Sequence, residues 1–258
     1  MRIHIIACEV MLREICYVVA RGPHPCDPEF VRKGLHDNPE VLRQELCARL
    51  AAVDATRADA VVLGYGLCSN GTAGLQAGQV PLVVPKMHDC ITMFLGSRRR
   101  YAEVFSRQPG TYYYTKGWLE RGADQVPQPA HQGGGLMDQT FQELVARYGE
   151  DNARYLMEIQ GQWVQNYTRA CLIRMPIYPG EEDAAKVREI AAQHGWEYVE
   201  LEGDMRLFEA MVGGEWSEED FLVVPPGGTI QPSYDDEVLK CTEGCQECPV
   251  VQTAAAEK

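Results

Sequence analysis

The stretch DAVVLGYGLC, residues 59–68, contains no polar side chain from Ala60 to Leu63. A strand with one wet face alternates apolar and polar residues. An unbroken apolar, β-branched run is instead read as a strand buried on both faces, as in a parallel sheet covered by helices. Five more short runs read the same way: IHIIAC (3–8), PLVVPKMHDC (81–90), CLIRMPI (171–177), WEYVEL (196–201) and FLVVPPGG (221–228).

Helical patterns separate most of these runs. NPEVLRQELCARLAAV (38–53) carries Leu42, Leu46, Leu50 and Val53 on one face, with Asn38 as its cap and Pro39 in its first turn. MDQTFQELVARY repeats Met137, Phe141, Leu144 and Tyr148, and NARYLMEIQGQWV groups Leu156, Ile159 and Trp163. In EEDAAKVREIAAQHG, Glu181 and Glu182 suit the positive helix start, His194 the end, and Gly195 the left-handed stop. Alternating strands and helices imply right-handed crossovers. The expected fold is α/β: mainly parallel, helix-covered, Rossmann-like sheets in two similar halves. The Gly-rich stretch HQGGGLMDQ (131–139) is read as the linker between them. The expected domains are 1–125, 137–235 and a Cys-rich tail, 236–258.

The 258 residues are 45% apolar and carry a formal net charge of −13. An acidic chain repels polyanions, so a nucleic-acid partner is not expected. No segment reaches the roughly 18 apolar residues of a membrane helix, and MRIHIIACEV reads as a first strand rather than a signal peptide. The expected compartment is the cytoplasm. There, disulfides are rare, and the ten cysteines are candidates for core residues, metal ligands or nucleophiles.

Position separates them. Ligands of open parallel sheets bind beyond the carboxyl ends of the strands. The first strand ends in Cys8-Glu9, the second in Gly64-Tyr65-Gly66-Leu67-Cys68-Ser69-Asn70-Gly71, and the third in His88-Asp89-Cys90. Cys8, Cys68 and Cys90, with His88, make a ligand set that suits Zn²⁺ or a 4Fe–4S iron–sulfur cluster with one open position. His88 and Cys90 can both serve if the backbone turns there, and in a continued strand they would share a face. Glu9 and Asp89 are candidate catalytic groups beside the ligands, and His88 is also a candidate acid/base. Gly64, Gly66, Ser69, Asn70 and Gly71 would let a cofactor or anion approach the backbone. Each cysteine taken alone is equally a small buried residue, and His88 a hydrogen-bonded core histidine. Cys47, between Leu46 and Leu50, is read as core, and Cys16, Cys26 and Cys171 do not share the strand-end position.

A second group, Cys241, Cys245 and Cys248, forms a C-x₃-C-x₂-C run near the C-terminus. Thiolates so spaced can wrap a cluster or part of a zinc site; a redox-inert tail is the alternative. Ser97 with Arg98 could hold a carboxylate or phosphate at a helix start, or form a solvated basic patch. PGTYYYTKGWLERG (109–122) could line a pocket through Tyr112, Tyr114 and Trp118, or form a buried edge strand. The turn VVPPGGTIQPSYDD (223–236) is expected at the same sheet edge, where it could bind substrate.

Together, GYGLCSNGTAGL (64–75), VVPKMHDCITMFLGSRRRY (83–101) and PGTYYYTKGWLERG resemble the family called domain of unknown function 1638, over most of residues 1–230. The resemblance implies a largely anaerobic setting, often beside corrinoid methyltransferase systems for methylated amines. By analogy with zinc methyltransferases, a His-x-Cys pair plus a distant cysteine would bind Zn²⁺ to activate a thiol. Three functions follow as expectations. One is a metal- or iron–sulfur-dependent enzyme, a transferase or lyase, acting on a small anionic molecule in one-carbon metabolism. Another is a metal or cluster carrier for a corrinoid protein or methyltransferase. The third is an enzyme whose nucleophile, Cys68 or Cys90, is activated by His88.

Overall fold

A computed structural model of the chain describes residues 1–121, 166–233, 235 and 237–243. It divides into two compact units, one built from Met1–Tyr101 with Gly203–Lys258 and the other from Ala102–Glu202. These bounds differ from the expected halves, and the expected linker lies outside the described residues, as do the helical patterns at 137–148 and 152–164.

The first unit is organised by a five-stranded sheet. Its strands are β1 (Ile3–Cys8), β2 (Cys26–Val31), β3 (Ala60–Gly64), β4 (Leu82–Pro85) and β8 (Phe221–Val224), in the order β2-β1-β3-β4-β8. All neighbours are parallel except β4 and β8. The fold is α/β, as expected. Ile3, Ile5, Ile6 and Ala7 of β1, and Val62 and Leu63 of β3, are fully buried, which is why these runs are almost wholly apolar. Full burial of such a Val, Leu or Ile side chain contributes about 1.5–3 kcal/mol.

Helix α1 (Leu12–Val19) joins β1 to β2, and α2 (Pro39–Ala52) carries the chain back across β1 to β3. Right-handed crossovers place these helices on opposite faces of the sheet. Asn38 caps α2 as its sequence indicates, accepting from the Val41 amide at 3.3 Å, with Pro39 in the first turn. The reversal from β2 back to β3 makes a topological switch point between the carboxyl ends of β1 and β3.

Two strands are shorter than their apolar runs. DAVVLGYGLC is strand only over Ala60–Gly64, and PLVVPKMHDC only over Leu82–Pro85. Pro85 closes β4, and Met87 donates its amide back to the Pro85 carbonyl at 2.9 Å. His88-Asp89-Cys90 is therefore a turn, leading into α3 (Ile91–Leu95), and not a strand end. Helix α4 (Arg98–Arg107) follows.

The second unit holds a parallel sheet, β5 (Thr111–Tyr114), β6 (Arg169–Arg174) and β7 (Glu197–Glu202), in that order. Helix α5 (Lys116–Glu120) follows β5, and α6 (Glu181–His194) makes the crossover from β6 to β7, ending at Gly195 with φ 68°. Tyr114, Leu172, Val187, Ile190 and Trp196 form the core of this unit. A last helix, α7 (Arg206–Gly213), packs on α1 and α3 in the first unit. Strands β9 (Gly228–Pro232) and β10 (Leu239–Glu243) form an antiparallel hairpin.

Among the described residues no helix is long and apolar enough to cross a membrane. Cys8, Cys16, Cys26, Cys68, Cys90, Cys171 and Cys241 are free thiols. Cys47 is buried, as expected of a core residue.

Candidate functional site

Cys8 is the last residue of β1 and is 8% exposed. Cys68 lies four residues beyond β3, in a segment that continues alongside the end of β4. Leu67 donates to the Met87 carbonyl at 2.8 Å, and Cys68 to the His88 carbonyl at 2.9 Å. This pairing draws the Cys68 turn against the turn that carries Cys90. Both cysteines are half-buried.

Glycine makes the approach feasible. A Cβ on Gly66 would sit 2.2 Å from the Met87 carbonyl oxygen, and one on Gly64 would sit 2.4 Å from Ala7 Cβ. Gly71 faces Leu42 in the same way, at 2.6 Å. These three glycines therefore serve chain-to-chain packing. The turn is also strained: Cys68, Ser69 and Asn70 have φ of 44°, 55° and 68°, three successive L-residues in the left-handed region. Such a conformation costs about 1–2 kcal/mol per residue, less for Asn, and concentrates at functional sites. Ser69 and Asn70 are exposed.

The three thiols feel one another's charge. Burial pushes the Cys68 thiol up to about 12, with the neighbouring Cys8 adding to the effect. Burial raises Cys90 well above the ordinary range, reinforced by Asp89, Cys8 and Cys68. Cys8 is likewise raised, first by burial. Tyr65, at 3% exposure, lies among them: burial chiefly, then Cys8, Cys68 and Cys90, raise its hydroxyl. Burial thus favours the protonated thiol at all three positions. That disfavours the nucleophile reading, because reactive cysteines have depressed values.

The surrounding polar groups come from the same sheet edge. Glu9 Oε1 accepts from the Lys33 backbone amide at 2.9 Å. Lys33, just past β2, has its ammonium lowered first by burial, with Cys8 and Glu9 acting in the opposite sense. Asp89 Oδ1 accepts from the Ile91 amide at 3.0 Å, and Oδ2 from the Tyr101 hydroxyl at 2.8 Å. Asp89 thus tethers the start of α3 to Tyr101, and burial raises its carboxyl despite those bonds and the nearby His88 and His36. His88 is exposed, at the rim rather than in the cluster.

Other expected site residues lie elsewhere. The Ser97 hydroxyl accepts from the Arg100 amide at 3.3 Å, and Arg98 reaches the Glu219 carbonyl at 2.7 Å, so both serve the local structure at the start of α4. Cys241 stands in β10 opposite Ile230, whereas Cys245 and Cys248 lie outside the described residues. Tyr112 and Trp118 pack on the core of the second unit, with Tyr114 inside it. Among the described residues, no group of three or more His, Cys, Asp or Glu side chains is arranged to hold a metal ion. The three thiols are near neighbours without being drawn to bonding geometry.

Lys33, His36 and Tyr65 are the residues that sequence reasoning missed. Tyr65 had a signal: a hydroxyl-bearing aromatic set between Gly64 and Gly66 at a strand end. Lys33 and His36 had none, because β2 (CDPEFV) contains proline and two acids and does not read as a strand.

A family model described as a protein of unknown function (DUF1638) matches residues 30–212. No curated protein and no solved structure matches the chain.

Proposed function

The chain belongs to the DUF1638 family, whose description names no activity, and from that premise we propose a function on the chemistry of the site. The protein is read as a cytoplasmic enzyme that uses zinc or an iron–sulfur cluster, held by Cys8, Cys68 and Cys90, on a small anionic molecule. What supports this reading is that Cys8 ends β1 and that the turn carrying Cys68 is hydrogen-bonded to the turn carrying Cys90, beside the switch point between β1 and β3. Ligands of open parallel sheets bind at that position.

Bringing the sulfurs to the ~2.3 Å of a zinc–thiolate bond requires the 68–70 turn to shift. Its positive φ values give that turn conformational strain to release. On binding, the thiols lose their protons, since only thiolates are ligands. A metal held there by Cys8, Cys68 and Cys90 would supply Lewis-acid chemistry toward an oxygen of the substrate. Lys33 would offset the negative charge gathered beside Cys8 and Glu9, and would favour an anionic substrate. His88, at the rim, can reach in as a fourth ligand or as an acid/base; Asp89 holds the turn between it and Cys90.

The reading is tested by metal and sulfide analysis of protein purified anaerobically. One metal or cluster per chain is expected, lost in Cys68→Ala and Cys90→Ala. Protein that stays metal-free after reconstitution with Zn²⁺, or with iron and sulfide, would sink it. Stoichiometric metal without turnover on small anions, together with a stable complex with a corrinoid protein, would assign the carrier role instead.

A further inference from the structure

Lys86 follows Pro85, the last residue of β4, at the carboxyl edge of the parallel strands. Its amide donates to the Asp220 carbonyl at 2.8 Å, which fixes it beside the start of β8. The residue is only 8% exposed, and lysine is almost never so buried unless paired. Among the described residues its ammonium has one partner, the Glu237 carboxylate. An ammonium carries three donors, so this one has donors to spare. The partner, moreover, is 55% exposed. In the Lys116–Asp183 pair of the second unit both side chains are largely withdrawn from water. Here a buried cation is covered by a carboxylate that faces solvent, and such a carboxylate can be exchanged for another.

Glu237 reaches Lys86 from the turn between β9 and β10. The base of that hairpin is stitched to the 74–75 segment, by Gly74 to the Ile230 carbonyl at 2.8 Å and Ile230 to the Leu75 carbonyl at 2.9 Å. In the turn itself the Glu237 amide donates to Asp235 Oδ1 at 3.0 Å, and Val238 is held at φ 64°. A β-branched residue in the left-handed region is an outlier that persists only where its surroundings enforce it. The Lys86 bond and charge hold the Glu237 carboxyl below its ordinary range, and Arg98 adds to the effect. Two cations therefore act on one water-facing carboxylate. We propose that Lys86 is the binding residue for a ligand carboxylate, and that Glu237 occupies that place in the ligand-free protein. The class of ligand follows from the group that stands in for it. The inference goes beyond the metal reading, since neither Lys86 nor Glu237 is a proposed metal ligand.

The test uses acetate as the probe, with chloride at equal ionic strength as the reference. A tethered carboxylate acts at an effective concentration in the millimolar range, so ~0.2 M acetate competes with it. In wild type, acetate is expected to free the turn, read as about 10-fold faster hydrogen exchange at the Glu237 and Val238 amides. This arm needs no variant. In chloride, Glu237→Gln is expected to melt below wild type, because the buried cation loses its partner. Acetate is expected to recover most of that loss. The double variant Lys86→Met with Glu237→Gln has no cation there, and measures the general effect of the salt. Unchanged exchange in wild type would overturn the inference, by showing that Glu237 is not displaced. Acetate that raises Glu237→Gln no more than the double variant would also overturn it, as would phosphate acting where acetate does not. No metal enters the assay, so each outcome leaves the metal reading where it stood.

Discussion

Cys68 and Gly66 sit two residues apart and show two ways of fixing a turn. Gly66 works by absence: a methyl group there would overlap the Met87 carbonyl. Gly66→Ala is expected to lower stability by about 3 kcal/mol, the upper range for forced overpacking, as read by urea denaturation with an unchanged m-value. Cys68 works by strain, held left-handed with its two followers. The sequence announced the cysteines because each closes an apolar run, and strand ends are where parallel sheets place chemistry. It could not announce the left-handed run, since Cys and Ser carry no such preference. His88 lies exposed in the turn after Pro85, a bend that no local pattern in the apolar run indicates.

At the level of elements, the legible pieces were those with local signals. Helix α2 has a cap, a first-turn proline and an apolar face, and Asn38→Ala should cost about 1 kcal/mol in chemical denaturation. Helix α6 was readable from its acidic start and its Gly195 stop. Strand β2 was hidden because an edge strand tolerates proline and charge. FLVVPPGG read as a single strand, but Pro225 and Pro226 end β8, and Gly227, with φ 80°, turns the chain into β9. A further contact no local pattern could indicate is the clamp on α7. Arg206 donates to Asp220 at 2.7 and 3.0 Å and to the Gly96 carbonyl at 2.6 and 2.9 Å, tying α7 to the end of α3 and the start of β8. Burial alone would raise the Asp220 carboxyl; the Arg206 bonds outweigh it and hold the group below the ordinary carboxylate range. Because its folded value is depressed, this stabilisation is present above the unfolded value near 3.9 and is lost as pH falls through the folded one. Arg206 is half exposed, so solvent screening limits the effect to about 1 kcal/mol. Asp220→Asn is expected to lower stability at pH 7 and to flatten its fall below about pH 4, as followed by thermal melts across pH.

On the scale of the whole molecule, each compact unit has its own sheet, and the three thiols belong to one of them. A ligand that binds only the folded form raises stability by mass action, about 2.7 kcal/mol at a hundredfold excess over Kd. Calorimetry with Zn²⁺ should therefore move the transition of the cysteine-bearing unit upward and leave that of the Ala102–Glu202 unit in place. A single transition moving as a whole would show that the two unfold together. The net charge of −13 adds a second expectation: raising ionic strength from low salt should raise the melting temperature by screening self-repulsion. The strand order has one more consequence, in time rather than space. The cysteine-bearing sheet is complete only when β8 pairs with β4, and 135 residues separate Pro85 from Phe221. During synthesis at about 5–20 residues per second, the outer edge of β4 waits, unpaired, while the whole of the other unit is made. In nascent chains released before Phe221, the segment bearing Cys8, Cys68 and Cys90 should therefore be digestible by protease, and it should become resistant in chains that include β8.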